Sequence, residues 1–144
     1  MKKRLLLDTS AVMVLIRKAG PANQIIEKYG LLNPDADPMI CVVTLGEIRV
    51  LATRNNWGES KRSILDKFLS RCVVVNINHK SVIDAYVALD IASQRHPSGS
   101  RNMGKNDLWI AASAKATGAT LVTTDKDFDH VERSFLEVDR FPLN

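Results

Sequence analysis

The chain has 144 residues, 45% of them hydrophobic and 25% charged, with 7 Gly and 5 Pro, which excludes a disordered, collagen-like or low-complexity polymer. A chain of this length buries roughly 68–70% of its unfolded surface, so residues 1–144 are expected to fold as one domain without disulfides or a structural metal. Twenty Lys and Arg against 16 Asp and Glu leave a net charge of +4 and a pI near 9.2, which permits a polyanionic partner without requiring one. Arg4–Leu7 reads as a first strand, followed by a helix over Ser10–Ala19 that Gly20-Pro21 stops. Ala22–Tyr29 is a second short helix, and Asn33–Pro38 a loop. Met39–Val43 reads as a strand and Thr44–Arg54 as a helix. Glu59–Leu69 is amphipathic, with Ile64, Leu65, Phe68 and Leu69 on one side. Val73–Val75 is a third strand. Ser81–Ser93 is a helix with Ile83, Val87 and Ile91 at steps of four, and His96–Lys105 a polar loop. Leu108–Thr117 is an Ala-rich helix closed by Gly118, Thr120–Thr123 a fourth strand, and Phe135–Val138 a candidate fifth.

Strands that alternate with helices, with no hairpin signal between them, call for right-handed crossovers. The expected fold is a three-layer α/β/α domain around a mostly parallel sheet. Strands covered on both faces should be apolar throughout, as Leu5–Leu7, Val42–Val43 and Val73–Val75 are. Lys2, Lys3 and Arg4 resemble the start of a signal peptide, but Asp8 cuts the apolar stretch that follows to three residues. Ala11–Ile16, the longest aliphatic run, is far too short to cross a membrane. Cys41 and Cys72 lie in apolar runs and read as small buried hydrophobes in a reducing, cytoplasmic compartment. No zinc spacing is present, and His79, His96 and His130 lie far apart along the chain.

Ligands of an open parallel sheet bind beyond the carboxyl ends of its strands. Asp8 follows the first strand; Thr44, with Glu47 one turn on, follows the second; Asp125 and Asp127 follow the fourth; Asp107 opens the helix that leads into it. Three of these places have a purely structural reading. Thr44-Leu45-Gly46-Glu47 matches a capping box. Asn106-Asp107 fits a helix N-terminus, where an acid complements the macrodipole. Thr123–Asp127 fits an ordinary turn. Asp8 is harder to explain that way, because Thr9 and Ser10 are already available as caps. Two carboxylates about 4 Å apart repel by roughly 4 kcal/mol at an effective dielectric near 20. A protein that gathers several without matching Lys or Arg needs a cation or must raise their pKa values. Carboxylate-and-water sites suit Mg²⁺ or Mn²⁺.

Asp8 after Leu5-Leu6-Leu7, then Gly46-Glu47-Ile48-Arg49, then Asn106-Asp107-Leu108-Trp109-Ile110-Ala111-Ala112, then Leu121-Val122-Thr123-Thr124-Asp125-Lys126-Asp127-Phe128, resembles a PIN domain in order and spacing. Within that family the chain looks most like the VapC toxins of toxin–antitoxin modules. The resemblance implies a divalent-metal-dependent ribonuclease, an endonuclease that acts as a homodimer and is silenced by a small antitoxin protein. It also implies that Asp8, Glu47, Asp107 and Asp125 are the catalytic and metal-holding acids, with Mg²⁺ or Mn²⁺ as cofactor. Thr9, Thr124 and Asp127 would stand behind them. Asp8, Asp107 and Asp125 would hold one or two ions, and Glu47 a second ion or the attacking water.

RNA must also be held. No acid occurs between Ile91 and Asn106, whereas Arg95, Arg101 and Lys105 are basic, so this loop is a candidate grip on backbone phosphates. Arg49 and Arg54 could share that task, or Arg49 could face an antitoxin. Trp109 reads as core, Lys61 and Arg62 as a solvated face, and Trp57 as a residue for a partner surface. A dehalogenase-like phosphatase would need a second acid at position 10, where this chain has Ser10, and a receiver domain would need a strand-end Lys that is missing. A PIN-like domain that binds RNA or a partner without cutting is the remaining alternative.

Overall fold

The computed structural model describes residues 3–99 and 103–143. The elements in chain order are β1 (Leu5–Leu7), α1 (Thr9–Arg17), α2 (Ala22–Tyr29), β2 (Met39–Cys41), α3 (Val42–Arg54), α4 (Glu59–Ser70), β3 (Val73–Val75), α5 (Lys80–Gln94), α6 (Lys105–Thr117), β4 (Thr120–Thr123), a 3-10 turn (Lys126–Phe128) and β5 (Val138–Arg140). The strands form one sheet in the order β3-β2-β1-β4-β5, and every pairing is parallel. Side chains alternate across it. Leu5, Leu7, Ile40 and Val122 face a layer built from α1 to α4, while Leu6, Cys41, Leu121 and Val138 face α5 and α6. The expected α/β/α architecture is therefore the observed one.

The chain builds β1, β2 and β3 outward in one direction, then crosses back to add β4 and β5 on the other side of β1. The reversal lies between β1 and β4, and in a sheet of this kind the crevice for a ligand forms there, at the carboxyl ends of the strands. Leu6 and Leu7 are fully buried, and each such side chain stabilises the fold by about 1.5–3 kcal/mol, which fixes where Asp8 emerges. Phe128, 1% exposed, does the same for the turn that carries Asp125 and Asp127.

Several boundaries differ from expectation. The second strand ends at Cys41, and Val42 and Val43 already belong to α3. The fifth strand lies at Val138–Arg140, not Phe135–Val138. Helix α1 stops at Arg17, because Lys18 takes a left-handed conformation (φ 52°) and its N–H reaches back to Leu15 and Val14. β3 is an edge strand, so Val73 and Val74 are 48% and 39% exposed and not covered on both faces. The stripe Ile83, Val87, Ile91 is real but faces outward; α5 buries Val82, Ala85, Leu89 and Ser93 against α6 and its neighbours. Ile64 is likewise exposed, while Leu65 is buried. Cys41 and Cys72 are free thiols, buried and half-buried. Among the described residues no helix is long and apolar enough to cross a membrane.

Candidate active site

Asp8 leaves β1 and turns straight into α1, where it is the N-cap: its Oδ1 accepts from the Ala11 N–H at 2.8 Å and from the Ser10 hydroxyl at 2.7 Å. Thr9 and Ser10, the caps suggested by sequence, lie inside the helix instead. The other carboxylate oxygen accepts from the Thr123 hydroxyl at 2.5 Å. This hydrogen bond ties the end of β1 to the end of β4. Asp8 is 4% exposed, and burial raises its pKa despite the hydrogen bonds from Thr123, Ser10 and Ala11 that oppose the rise; the charge of Asp125 adds to it. A cap alone does not require a buried carboxyl under such pressure.

Glu47 is not half of a capping box. Because α3 begins at Val42, Cys41 is its N-cap and Thr44 is already in the first turn, fully buried. Glu47 lies one turn further, half-buried, and its carboxylate accepts from the Thr9 hydroxyl at 2.6 Å and from the Asn106 amide at 3.3 Å. Thr9 also reaches Thr44 Oγ1 at 3.2 Å. Ile48, buried beside it, holds this face of α3 toward the crevice.

Asp107 sits in the first turn of α6, whose N-cap is Gly104, not Asn106 or Asp107. A helix N-terminus favours a carboxylate by about 0.3–1 kcal/mol, which would lower the pKa. The opposite is found: the pKa rises from 3.8 to about 6, through burial first and then the charges of Asp127, Glu47, Asp8 and Asp125. Repulsion and desolvation outweigh the dipole. The charges of the other four acids all reach Asp107, so the five carboxylates lie on the same side of the molecule.

Asp125 caps the 3-10 turn, its Oδ1 accepting from the Asp127 N–H at 3.0 Å, while its own N–H donates to Thr123 Oγ1 at 3.0 Å. The turn reading is thus correct as far as it goes. Asp127 is exposed, and burial and Asp125 both raise its pKa, with Lys126 and His130 opposing. Thr124 contributes its backbone N–H, which donates to Ser10 Oγ at 3.0 Å; the hydroxyl at Asp8 belongs to Thr123. Ser10, Thr123 and Asn106 are the contributors that sequence reasoning missed. Strand alternation was the available signal for Thr123, since Leu121 faces α6 and position 123 shares its side.

Among the described residues none of these five acids pairs with a Lys or Arg; the ion pairs found are Lys3–Glu137, Lys28–Asp139, Arg49–Asp66, Lys80–Asp84 and Arg140–Asp129. Arg49 is therefore engaged away from the crevice. Nor, among those residues, do three carboxylate, histidine or cysteine side chains stand close enough to cage an ion as they are. Arg95 ends α5 and Lys105 begins α6, both exposed, flanking the loop; Arg101 lies outside the described residues. Trp57, expected at a partner surface, is 8% exposed in the core, where Lys61 stacks over it at 4.1 Å and Arg62 bonds its carbonyl at 2.9 Å. Trp109, expected in the core, is half-buried: it packs against the core and stacks on Tyr86 at 4.0 Å.

Residues 5–134, which include every one of these acids, match the family model of the PIN domain. The chain belongs to the PIN domain family. Ribonuclease VapC2 of Rickettsia felis is 28% identical to this PIN domain over 133 residues, covering 92% of the chain and 95% of the relative. Ribonuclease VapC2 of Haemophilus influenzae is 25% identical over 130 residues, covering 88% and 90%. The crystal structure of VapBC2 from Rickettsia felis bound to a DNA fragment from its promoter superposes with a TM-score of 0.74 at 24% identity, over 95% of this PIN domain and 98% of that chain. That likeness bears on the fold, which it matches nearly end to end.

Proposed function

We propose that this PIN domain is a divalent-metal-dependent ribonuclease that hydrolyses RNA phosphodiester bonds, the toxin of a toxin–antitoxin pair acting in the cytoplasm. The carrying observation is the convergence of Asp8, Glu47, Asp107 and Asp125 on one crevice where, among the described residues, no Lys or Arg neutralises them. Metal dependence is general in the family. The donor set fits: all ligands are hard carboxylate oxygens with hydroxyl neighbours, which suits Mg²⁺ or Mn²⁺. Asp8, Asp107 and Asp125 would hold the ion, with Glu47 on a second ion or on the attacking water. A bound ion supplies Lewis acidity and a lowered water pKa. Thr123 and Ser10 fix the Asp8 carboxylate, and Thr9 and Asn106 fix that of Glu47. Asp127 adds negative charge at the rim. Arg101 and Lys105 would hold RNA backbone phosphates beside the acids.

The deciding experiment is cleavage of a mixed RNA pool with Mg²⁺, with Mn²⁺ and with chelator, using wild type and Asp125→Asn. Cleavage that needs the ion and is lost in the variant supports the proposal; cleavage indifferent to both defeats it. The spread of the acids, too wide as they stand to cage an ion, favours a second reading: a PIN-like module that binds RNA or a partner without cutting. Calorimetric titration with Mn²⁺ separates the two, since that module has no reason to bind the ion. As partners we propose a small antitoxin protein and a second copy of the chain. A growth defect on expression, relieved by co-expression of a small DNA-binding protein encoded next to it, tests the first. The outward stripe Ile83, Val87, Ile91 leaves an apolar face available for the second, which mass measurement in solution tests.

A further inference from the structure

Two histidines that the sequence separates come together away from the acids. The rings of His96 and His130 meet edge-to-face, with centroids 5.7 Å apart at 76°. They line a cavity of about 310 Å³ between the end of α5 and the segment after the 3-10 turn, with Leu89 and Phe135 on its apolar wall. Arg95 and Glu132 also line it. Ser93 anchors the arrangement: it is 4% exposed, and its hydroxyl lies 3.1 Å from His130 Nε2 and 3.5 Å from Met103 Sδ. His130 follows Asp127 by three residues, so the segment that lines the cavity continues directly from the turn that carries Asp125 and Asp127.

We propose that this cavity receives one unpaired guanine base of the RNA substrate, next to the site of cleavage. The inference rests on the ribonuclease reading above and adds a sequence preference to it. The volume falls at the lower end for small-ligand sites, enough for a base with its ribose. Single-stranded RNA is recognised by stacking bases on aromatic or histidine rings and by hydrogen bonds along base edges. An ionised Glu only accepts, and Arg only donates. Guanine alone presents two neighbouring donors, N1–H and the N2 amino group, together with the acceptors O6 and N7. Glu132 suits the first pair and Arg95 the second. Adenine turns an N1 lone pair toward the carboxylate, and the pyrimidines lack N7. Arg95 is thereby assigned to a base edge and not to a phosphate.

The test uses Asp125→Asn as the background, so that RNA is bound and not cut. Fluorescent U-rich heptamers carrying one central guanine, inosine or adenine are titrated by anisotropy, with and without Glu132→Gln; melting curves check that the variant folds. The expected result is guanine bound about 10-fold tighter than adenine, with inosine weakened because it lacks the N2 amino group, in line with one bidentate base contact. Glu132→Gln should erase the preference. Equal binding of all three strands, or a preference that survives Glu132→Gln, overturns the proposal. Wild-type cleavage of the mixed RNA pool is run alongside. If that RNA is cut while the guanine preference is absent, the cavity assignment fails and the ribonuclease reading stands. If no RNA is cut yet the preference is present, the reverse holds.

Discussion

Asp107→Asn removes one charge from the most crowded point of the crevice and changes little in shape. Folding raises the Asp107 pKa from 3.8 to about 6, through burial and then the charges of Asp127, Glu47, Asp8 and Asp125. The folded state therefore holds this proton more tightly than the unfolded chain. The associated stability is fully present below about pH 4, is lost as pH rises toward about 6, and stays lost above it. A shift of this size is worth at most about 3 kcal/mol. Asp107 is half-buried, and solvent screening reduces the effect to the order of 1–2 kcal/mol. Asparagine escapes the penalty. In urea titrations with chelator at low salt, the variant should match wild type near pH 4 and exceed it by about 1–2 kcal/mol near pH 7.5, or roughly 3–6 °C in Tm. Added Mg²⁺ or Mn²⁺ should raise the wild type more than the variant and narrow or reverse the gap. A variant that is less stable at pH 7.5, or a gap that does not change with pH, would refute the reasoning and leave Asp107 as a helix-terminus residue.

Asp8→Ala should cost about 1–3 kcal/mol on urea denaturation, because it strips the α1 cap and leaves the buried Thr123 hydroxyl short of a partner, whereas Asp8→Asn should keep most of that stability while both lose cleavage. Thr9→Val should lower cleavage about 10–100-fold with little change in Tm, since Thr9 acts by orienting Glu47; restoration by Thr9→Ser checks that the hydroxyl is responsible. Arg101→Ala with Lys105→Ala should reduce the slope of log binding constant against log salt by roughly 1.4 if each holds one phosphate of a single strand; an unchanged slope removes both from RNA binding. Tyr29→Phe should weaken the fold most near neutral pH. Burial by itself would raise the pKa of Asp139, yet hydrogen bonds from Lys28 and Tyr29 bring it below the ordinary carboxylate value, so their contribution is present at neutral pH and fades as the solution is acidified through the folded-state pKa.

The element order and the parallel sheet could be read directly, because Leu5–Leu7 and Thr120–Thr123 are short apolar or β-branched runs bounded by clear breakers. The β2–α3 junction could not. Cys41-Val42-Val43 is equally at home in a strand, and the chain enters the helix without an intervening turn residue. That shift of two residues also decided the fate of the capping box and released Glu47 for the crevice. α5 carries two apolar stripes one residue apart, and only the Ala-rich surface of α6 selects Val82, Ala85 and Leu89 over the bulkier Ile83, Val87 and Ile91. Asp8 and Asp125 were legible as residues that follow strands, Glu47 as an acid one turn into a helix and Asp107 as one in the first turn of another. Their hydroxyl and amide partners were not, because Thr123 and Asn106 acquire meaning only when distant segments meet. The pairing of His96 with His130 is of the same kind.

The hydrogen bond between Thr123 and Asp8 joins positions 115 residues apart. Contacts of such span form late, after the entropy of closing a long loop has been overcome. A ribosome must therefore release most of the polypeptide before the crevice can exist, and a nascent or prematurely ended chain lacks the fourth carboxylate along with the strand that presents it. Any chemistry of the crevice therefore waits on that one closure.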